Sequence, residues 1–210
     1  MRFIIHGGTL SRSLQSISSV VPSGRTMPIL LNFLMELKGE DLTVTASDLE
    51  TTITVKLNPG MVEQGSINRI AIPAKMFLEV VNSLSTQQIT IEVQEDFSVE
   101  ITAGTGKYKL VGEDPESYPV AMELEEPVLT TMSSSILVKA IGKTIFATGN
   151  SELRPQMSGV LCEQTESGTT FVATDAHKLV KYTRTDCKCD EPRSFILPKT
   201  PLGLLNKLLS

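Results

Sequence analysis

The chain has 210 residues, 40% hydrophobic and 20% charged, with a formal net charge of −5. These are the proportions of a soluble globular protein with room for one large domain or two of ordinary size. No apolar run approaches the roughly 20 residues that cross a bilayer. The N-terminus, Met1-Arg2-Phe3-Ile4-Ile5-His6, lacks the apolar stretch and small-residue cleavage site of a signal peptide, so a cytoplasmic location is expected and no membrane partner. The acidic balance, taken as an average, argues against nucleic acid, which usually meets a basic domain.

The first periodic segment is a predicted helix over 9–21, with Leu10, Leu14, Ile17 and Val21 on one apolar stripe. The period then falls to two. Leu42 and Val44 alternate with polar neighbours, as do Ile53, Val55 and Leu57, and later Ile89, Ile91 and Val93, which predicts strands. Gly39-Glu40 and Glu95-Asp96 read as hairpin tips. Pro73 follows an apolar strand-like run and opens a second predicted helix, 73–85, in which Met76, Phe77, Val80, Val81 and Leu84 form the stripe. Residues 118–127, rich in Pro and Glu and with little periodicity, read as a linker. A third helix is expected over 133–148, on Leu137, Ile141 and Ile145, and a fourth over 198–210, opened by Pro198.

These segments form a repeat. Val44-Thr45-Ala46-Ser47-Asp48-Leu49 resembles Phe171-Val172-Ala173-Thr174-Asp175-Ala176, and Ile70-Ala71-Ile72-Pro73 resembles Phe195-Ile196-Leu197-Pro198, at a spacing of about 126 residues, one domain length. The unit reads strand, helix, three strands, helix, three strands, an α+β domain with two helices packed on largely antiparallel sheet. The expected domains are 1–121 and 122–210. The second ends after its second helix, where the first has about three strands still to come, so the chain reads as a truncated piece of a longer one, with an open sheet edge.

Charge is unevenly distributed. The predicted helices carry Arg12, Lys75, Lys139, Lys143, Lys199 and Lys207 against the single acid Glu79. That is a net +5 on the helices and −10 on the rest. Any one of these lysines could simply face solvent, but helices usually mix signs, because i,i+4 pairs are mildly stabilising. One sign on every helix predicts a basic layer facing a polyanion, with an acidic exterior.

Catalytic and metal chemistry find little support. Cys187-Lys188-Cys189 is too close for an ordinary disulfide and lacks the second ligand pair of a zinc site; with Cys162 these read as reduced thiols, and no cofactor or metal is expected. Asp175 and His177 could form an acid–base pair, but no catalytic frame surrounds them. Gly104-Thr105-Gly106-Lys107 hints at a phosphate loop, yet Ile101 stands where its first Gly belongs and Tyr108 where Ser or Thr is needed; a hairpin turn fits better.

Four stretches, in order, resemble one family. Arg25-Thr26-Met27-Pro28-Ile29-Leu30-Leu31-Asn32 is similar to the Arg-x-x-Leu-Pro-Ile-Leu-x-Asn of bacterial sliding clamps, the beta subunits of DNA polymerase III. Ser47-Asp48-Leu49-Glu50 resembles the Thr-Asp-Leu-Glu that follows there, Ile72-Pro73-Ala74-Lys75 the Val-Pro-Ala-Arg/Lys helix entry, and Thr174-Asp175-Ala176-His177-Lys178-Leu179 the Thr-Asp-Gly-His-Arg-Leu. Order and spacing agree along all 210 residues.

The resemblance implies the DNA-clamp fold: three such domains per chain, two chains per ring, helices lining the hole and sheets outside. It implies a non-catalytic processivity factor that encircles double-stranded DNA and tethers other proteins to it. Arg12, Arg25, Lys75, Lys139, Lys143, Lys199 and Lys207 become the expected DNA-facing set, of which Arg25 corresponds best to a family contact. Contacts to the DNA backbone alone would be sequence-independent and salt-sensitive. The resemblance further implies a pocket for short linear motifs of the replicative polymerase, clamp loader and repair proteins, with one wall on Met157, Thr174, Ala176, His177, Lys178 and Leu179 and the other beyond residue 210. Here Ala176 replaces the usual Gly, Lys178 the usual Arg and Met157 the usual Leu; a lysine cannot reproduce the guanidinium fork. Homodimers are implied for the full-length protein, while the 210-residue piece alone is expected not to close a ring. The alternative is a repeat-built scaffold that binds proteins and not DNA.

Overall fold

The computed structural model describes residues 1–24, 27–119, 129–150 and 153–209. The chain divides into two compact units, Met1–Glu123 and Leu124–Ser210. The expected boundary at residues 121 and 122 lies outside the described residues.

In the first unit β1 (Arg2–His6) leads into α1 (Gly7–Ser18), then β2 (Asn32–Lys38), β3 (Asp41–Ser47), β4 (Thr52–Leu57), β5 (Met61–Glu63), β6 (Arg69–Pro73), α2 (Ala74–Ser83), β7 (Gln88–Val93), β8 (Ser98–Ala103) and β9 (Gly106–Val111). The strands make two antiparallel sheets, ordered β5-β1-β7-β8-β9 and β4-β3-β2-β6. The two helices pack on each other and on strands of both sheets. Phe3, Leu10, Leu14, Ile17, Phe33, Val44, Ile72, Phe77 and Ile91 are fully buried.

Five strands, not three, separate the helices. The unexpected ones have physical reasons to be inconspicuous. β2 is the central partner of both β3 and β6, so Phe33, Leu34 and Met35 are all buried and no alternation appears. β5 is three residues long. Helix α1 starts two residues before the expected Thr9, because the His6 Nδ1 accepts from the Gly8 N–H at 3.2 Å and caps the new helix end. Pro73 ends β6 and occupies the N-cap of α2 rather than its first turn. Met76, expected on the buried stripe, is 55% exposed. The Gly104-Thr105 segment is a hairpin turn between β8 and β9, with Gly104 at φ 55°.

The second unit comprises α3 (Ser134–Thr144), β10 (Gly159–Thr165), β11 (Gly168–Thr174), β12 (Leu179–Arg184), β13 (Arg193–Pro198) and α4 (Lys199–Leu209). A short 3-10 turn, Ile145–Ala147, continues α3. The sheet order β12-β11-β10-β13 repeats β4-β3-β2-β6 strand for strand, and α4 follows β13 as α2 follows β6. Ile141, Val160, Phe171 and Leu202 form its core, with Leu137 and Ile145 packed against it.

Candidate nucleic-acid and peptide interfaces

The repeat extends to one turn. In the first unit β3 hands over to β4 through Asp48–Thr51. The Asp48 Oδ1 accepts from the N–H groups of Glu50 and Thr51 at 3.1 and 2.6 Å, and the Ser47 hydroxyl oxygen from that of Leu49. In the second unit β11 hands over to β12 in the same way. The Asp175 Oδ1 accepts from His177 and Lys178 at 3.0 and 2.9 Å, and the Thr174 hydroxyl oxygen from Ala176. Short polar side chains fold the backbone onto themselves, as Asx-turns do. A feature belongs to the second copy alone: the Lys178 ammonium also donates to the Asp175 Oδ2. That hydrogen bond, with the two from the backbone, holds the Asp175 carboxyl well below the usual carboxylate range.

Around this turn lies an open groove of about 690 Å³. The turn supplies Asp175, Ala176, His177 and Lys178. The segment after α3 supplies Phe146, Thr148, Asn150, Leu153 and Arg154, Met157 closes the short helical turn before β10, and Lys199 enters from the start of α4. The groove is anchored by backbone hydrogen bonds from Gly149 to the Met157 carbonyl (2.8 Å) and from Lys199 to that of Ser158 (3.0 Å).

Of the six residues expected at a peptide pocket, Met157, Ala176, His177 and Lys178 line this groove. Thr174 instead shapes the turn, its hydroxyl donating to the Lys178 carbonyl, and Leu179 begins β12, exposed. Phe146, Asn150, Leu153 and Arg154 went unanticipated. Phe146 lies within the expected third helix, in the 3-10 turn that continues α3, while Asn150, Leu153 and Arg154 sit on the connection beyond it; only folding brings them beside the turn. Phe146 and Leu153 are the exposed large apolar residues of the groove.

Among the basic residues, Arg12, Lys75, Lys139, Lys143 and Lys207 are exposed on their helices. Arg25 lies outside the described residues. Lys199 differs: it is half-buried and its ammonium donates to the Asn150 Oδ1 at 2.8 Å, inside the groove. None of these six described helix cations forms an ion pair with a described residue. Of the twelve described cations off the helices, seven do: Arg2, Lys56, Arg69, Lys107, Lys178, Arg184 and Arg193. Dipole compensation gives Lys143 and Lys207 a structural reason, since both stand in last turns. It opposes Lys75 and Lys199, which stand in first turns that hold no acid. Among the described residues no cluster of three or more His, Cys, Asp or Glu could hold a metal ion, and no helix is long and apolar enough to cross a membrane.

Residues 1–123 match the family model "DNA polymerase III beta subunit, N-terminal domain", and residues 131–210 its "central domain". The Beta sliding clamp of Halalkalibacterium halodurans is 32% identical over 217 residues, covering all of this chain, and that of Staphylococcus aureus 26% over 215. A DNA polymerase sliding clamp of Bacillus subtilis superposes with a TM-score of 0.89 at 28% identity, and one of Pseudomonas aeruginosa solved with griselimycin bound at 0.90 and 26%, both over the whole chain. In each case the chain spans 57% of the relative's length.

Proposed function

The chain belongs to the DNA polymerase III beta subunit family, and on that premise we propose that it is part of a sliding clamp: a non-catalytic cytoplasmic ring that encloses duplex DNA and tethers the replicative polymerase, clamp loader and repair proteins to it. Arg12, Arg25, Lys75, Lys139, Lys143 and Lys207 face the DNA backbone in this reading. The single observation that carries it is the set of cations on all four described helices that form no ion pair with a described residue, while most of the other described cations pair with sheet and loop acids. Cations without an ion pair among the described residues are available to phosphates, and each one that meets a phosphate releases counterions without reading a base. A protein that slides needs such weak, uniform contacts.

The groove of the second unit is the proposed docking place for short linear motifs. Its exposed Phe146 and Leu153, with Met157, offer surface to apolar anchors, and the self-braced Asp175 turn gives a rigid polar wall. The full-length protein acts as a homodimer.

The test is topological. The full-length protein is loaded on nicked circular DNA with clamp loader and ATP, and the circle is then linearised. Retention on the circle and release on cutting is the expected result. Equal retention before and after cutting would mean ordinary surface binding. Failure to associate at all, with peptides still bound, would favour the protein-only scaffold.

A further inference from the structure

The helix pair of the first unit is joined at its exposed face by polar side chains. On α1, Arg12 and Gln15 are exposed and three residues apart; on α2, Lys75, Glu79 and Asn82 are exposed at spacings of four and three. Each set therefore shares one face of its helix. A hydrogen-bond cluster connects the two faces. The Asn82 Oδ1 accepts from the Ser11 hydroxyl at 2.5 Å and from the Gln15 Nε2 at 3.0 Å. The same Gln15 nitrogen donates to the Ser11 oxygen at 3.3 Å. Arg12 and Lys75, both of the proposed DNA-facing set, thus stand on one surface with this cluster.

The cluster fixes which way the Asn82 amide points. Its oxygen is taken up at the seam by two donors, one of them on the buried Ser11. An amide is planar, with oxygen and nitrogen on opposite sides, so Nδ2 is turned away from the seam, and it donates to no described residue. Pinning two helices needs only the oxygen. The charge of the surface gives the nitrogen a use. Arg12 and Lys75 are opposed here by Glu79, the one acid on the described helices, which leaves a net +1. The last turn of α2, where the helix dipole favours a cation, holds none. A weakly charged surface that tracks a phosphate backbone draws part of its attraction from neutral donors, and asparagine amides are common among them.

We infer that the Asn82 amide is a neutral phosphate donor of the DNA-facing surface, held in position by Ser11 and Gln15. The inference rests on the reading of the helices as the DNA face and adds to it a contact of a different kind. Counterions are released where a cation neutralises a phosphate. A hydrogen bond from an uncharged amide neutralises nothing, so it adds affinity without adding to the salt dependence.

The experiment measures binding of the full-length protein to one mixed-sequence duplex across a salt series, with a thermal melt of each variant beside it. Asn82→Ala, which places a better helix former at an exposed site, is expected to weaken binding about threefold to tenfold at every salt concentration, with the slope of log K against log salt unchanged. Asn82→Lys, a cation that a last turn favours, is expected to restore affinity at low salt and to steepen the slope by about 0.9 for each phosphate it meets. Wild-type affinity in Asn82→Ala would make the residue a helix pin and overturn the inference while the DNA face stands. A loss in Asn82→Ala with a shallower slope would mean that cation contacts went with the amide, and a wild-type slope in Asn82→Lys would mean that no phosphate comes within reach; either overturns the neutral donor. A wild type that binds no duplex at any salt concentration would overturn the DNA face and the inference together.

Discussion

Leu49 and Ala176 occupy the same position of the same turn in the two units, at φ of 78° and 75°. Both are left-handed, a region in which a Cβ meets backbone oxygen at a cost of about 1–2 kcal/mol. Each persists because a carboxylate before it, Asp48 or Asp175, gathers the next N–H groups, and a hydroxyl, Ser47 or Thr174, takes its own.

Replacing Ala176 by Gly should therefore stabilise the second unit. The steric cost disappears, and the greater freedom of glycine in the unfolded chain returns about 0.4–1 kcal/mol of it. A net gain of roughly 0.5–1 kcal/mol is expected, while Ala176→Val, β-branched, should lose stability. Urea unfolding with an unchanged slope is the measurement. A destabilised Ala176→Gly would show that the turn tolerates Cβ without strain.

The brace on Asp175 makes a pH prediction. Its carboxyl is held below the ordinary value by hydrogen bonds from the Lys178 side chain and from two backbone N–H groups. A depressed folded value means that the stabilisation is complete above the unfolded pKa, near 3.9, and is lost as pH falls through the folded one. The melting difference between wild type and Asp175→Asn should be largest above about pH 4–5 and shrink in stronger acid. A difference independent of pH would mean that the side chain acts by shape alone.

The repeat of Ser47-Asp48 in Thr174-Asp175 was legible in the sequence, but the turn that both build was not anticipated, and neither was much of the groove. Ser47-Asp48 and Thr174-Asp175 act locally, side chain and N–H being two or three residues apart, so the residue types carried a signal for the turn that the repeat alone did not name. The buried stripes of α1 and α3 were legible because their spacing is likewise local. β2 was hidden because burial on both faces erases alternation, and Met76 was misplaced because a periodic match does not say where a stripe ends. Arg154 and Lys199 come to line one groove only through the fold, across the strands that lie between them in sequence. The charge pattern named Lys199 but could not tell a helix face from the groove at its foot.

Two helical glycines should respond oppositely to a methyl group. A Cβ on Gly7 would collide with the Leu84 carbonyl, backbone that cannot step aside, where α1 starts beside the end of α2. Gly7→Ala should cost about 1–3 kcal/mol in the first unit, as overpacking does. Gly142, inside α3, has nothing within 4 Å of the same position, so Gly142→Ala should stabilise the second unit by about 0.5–1 kcal/mol through helix propensity. Thermal melts of both variants decide the matter; a harmless Gly7→Ala would mean that the helix pair separates easily.

The cysteines differ in reach. Cys162 is 1% exposed in the second core, and burial pushes its thiol up to about 11. Cys189 is half-buried at the surface, its thiol on the Glu191 carbonyl. At pH 8 a maleimide or disulfide reagent should modify Cys189 first and reach Cys162 only as the unit unfolds, since thiolate and access are both required. Mass spectrometry of peptides after timed labelling reads the order. Early labelling of Cys162 would reveal opening of the second core below the global unfolding barrier.

Salt dependence tests the basic helix face directly. Lys139 and Lys143, one turn apart on α3, are exposed and without ion pairs among the described residues. If each meets a phosphate, removing both contacts should make the slope of log K against log salt shallower by about 0.9 per contact, for any duplex sequence alike. The double variant Lys139→Glu, Lys143→Glu of the full-length protein should thus bind duplex DNA more weakly with a slope less steep by nearly two. Its groove should still take peptides. A weaker variant with an unaltered slope would mean that repulsion from the new glutamates, not lost phosphate contacts, lowered the affinity, and these two lysines would leave the DNA-facing set; Lys139→Gln, Lys143→Gln separates the cases, because it removes the contacts without adding negative charge.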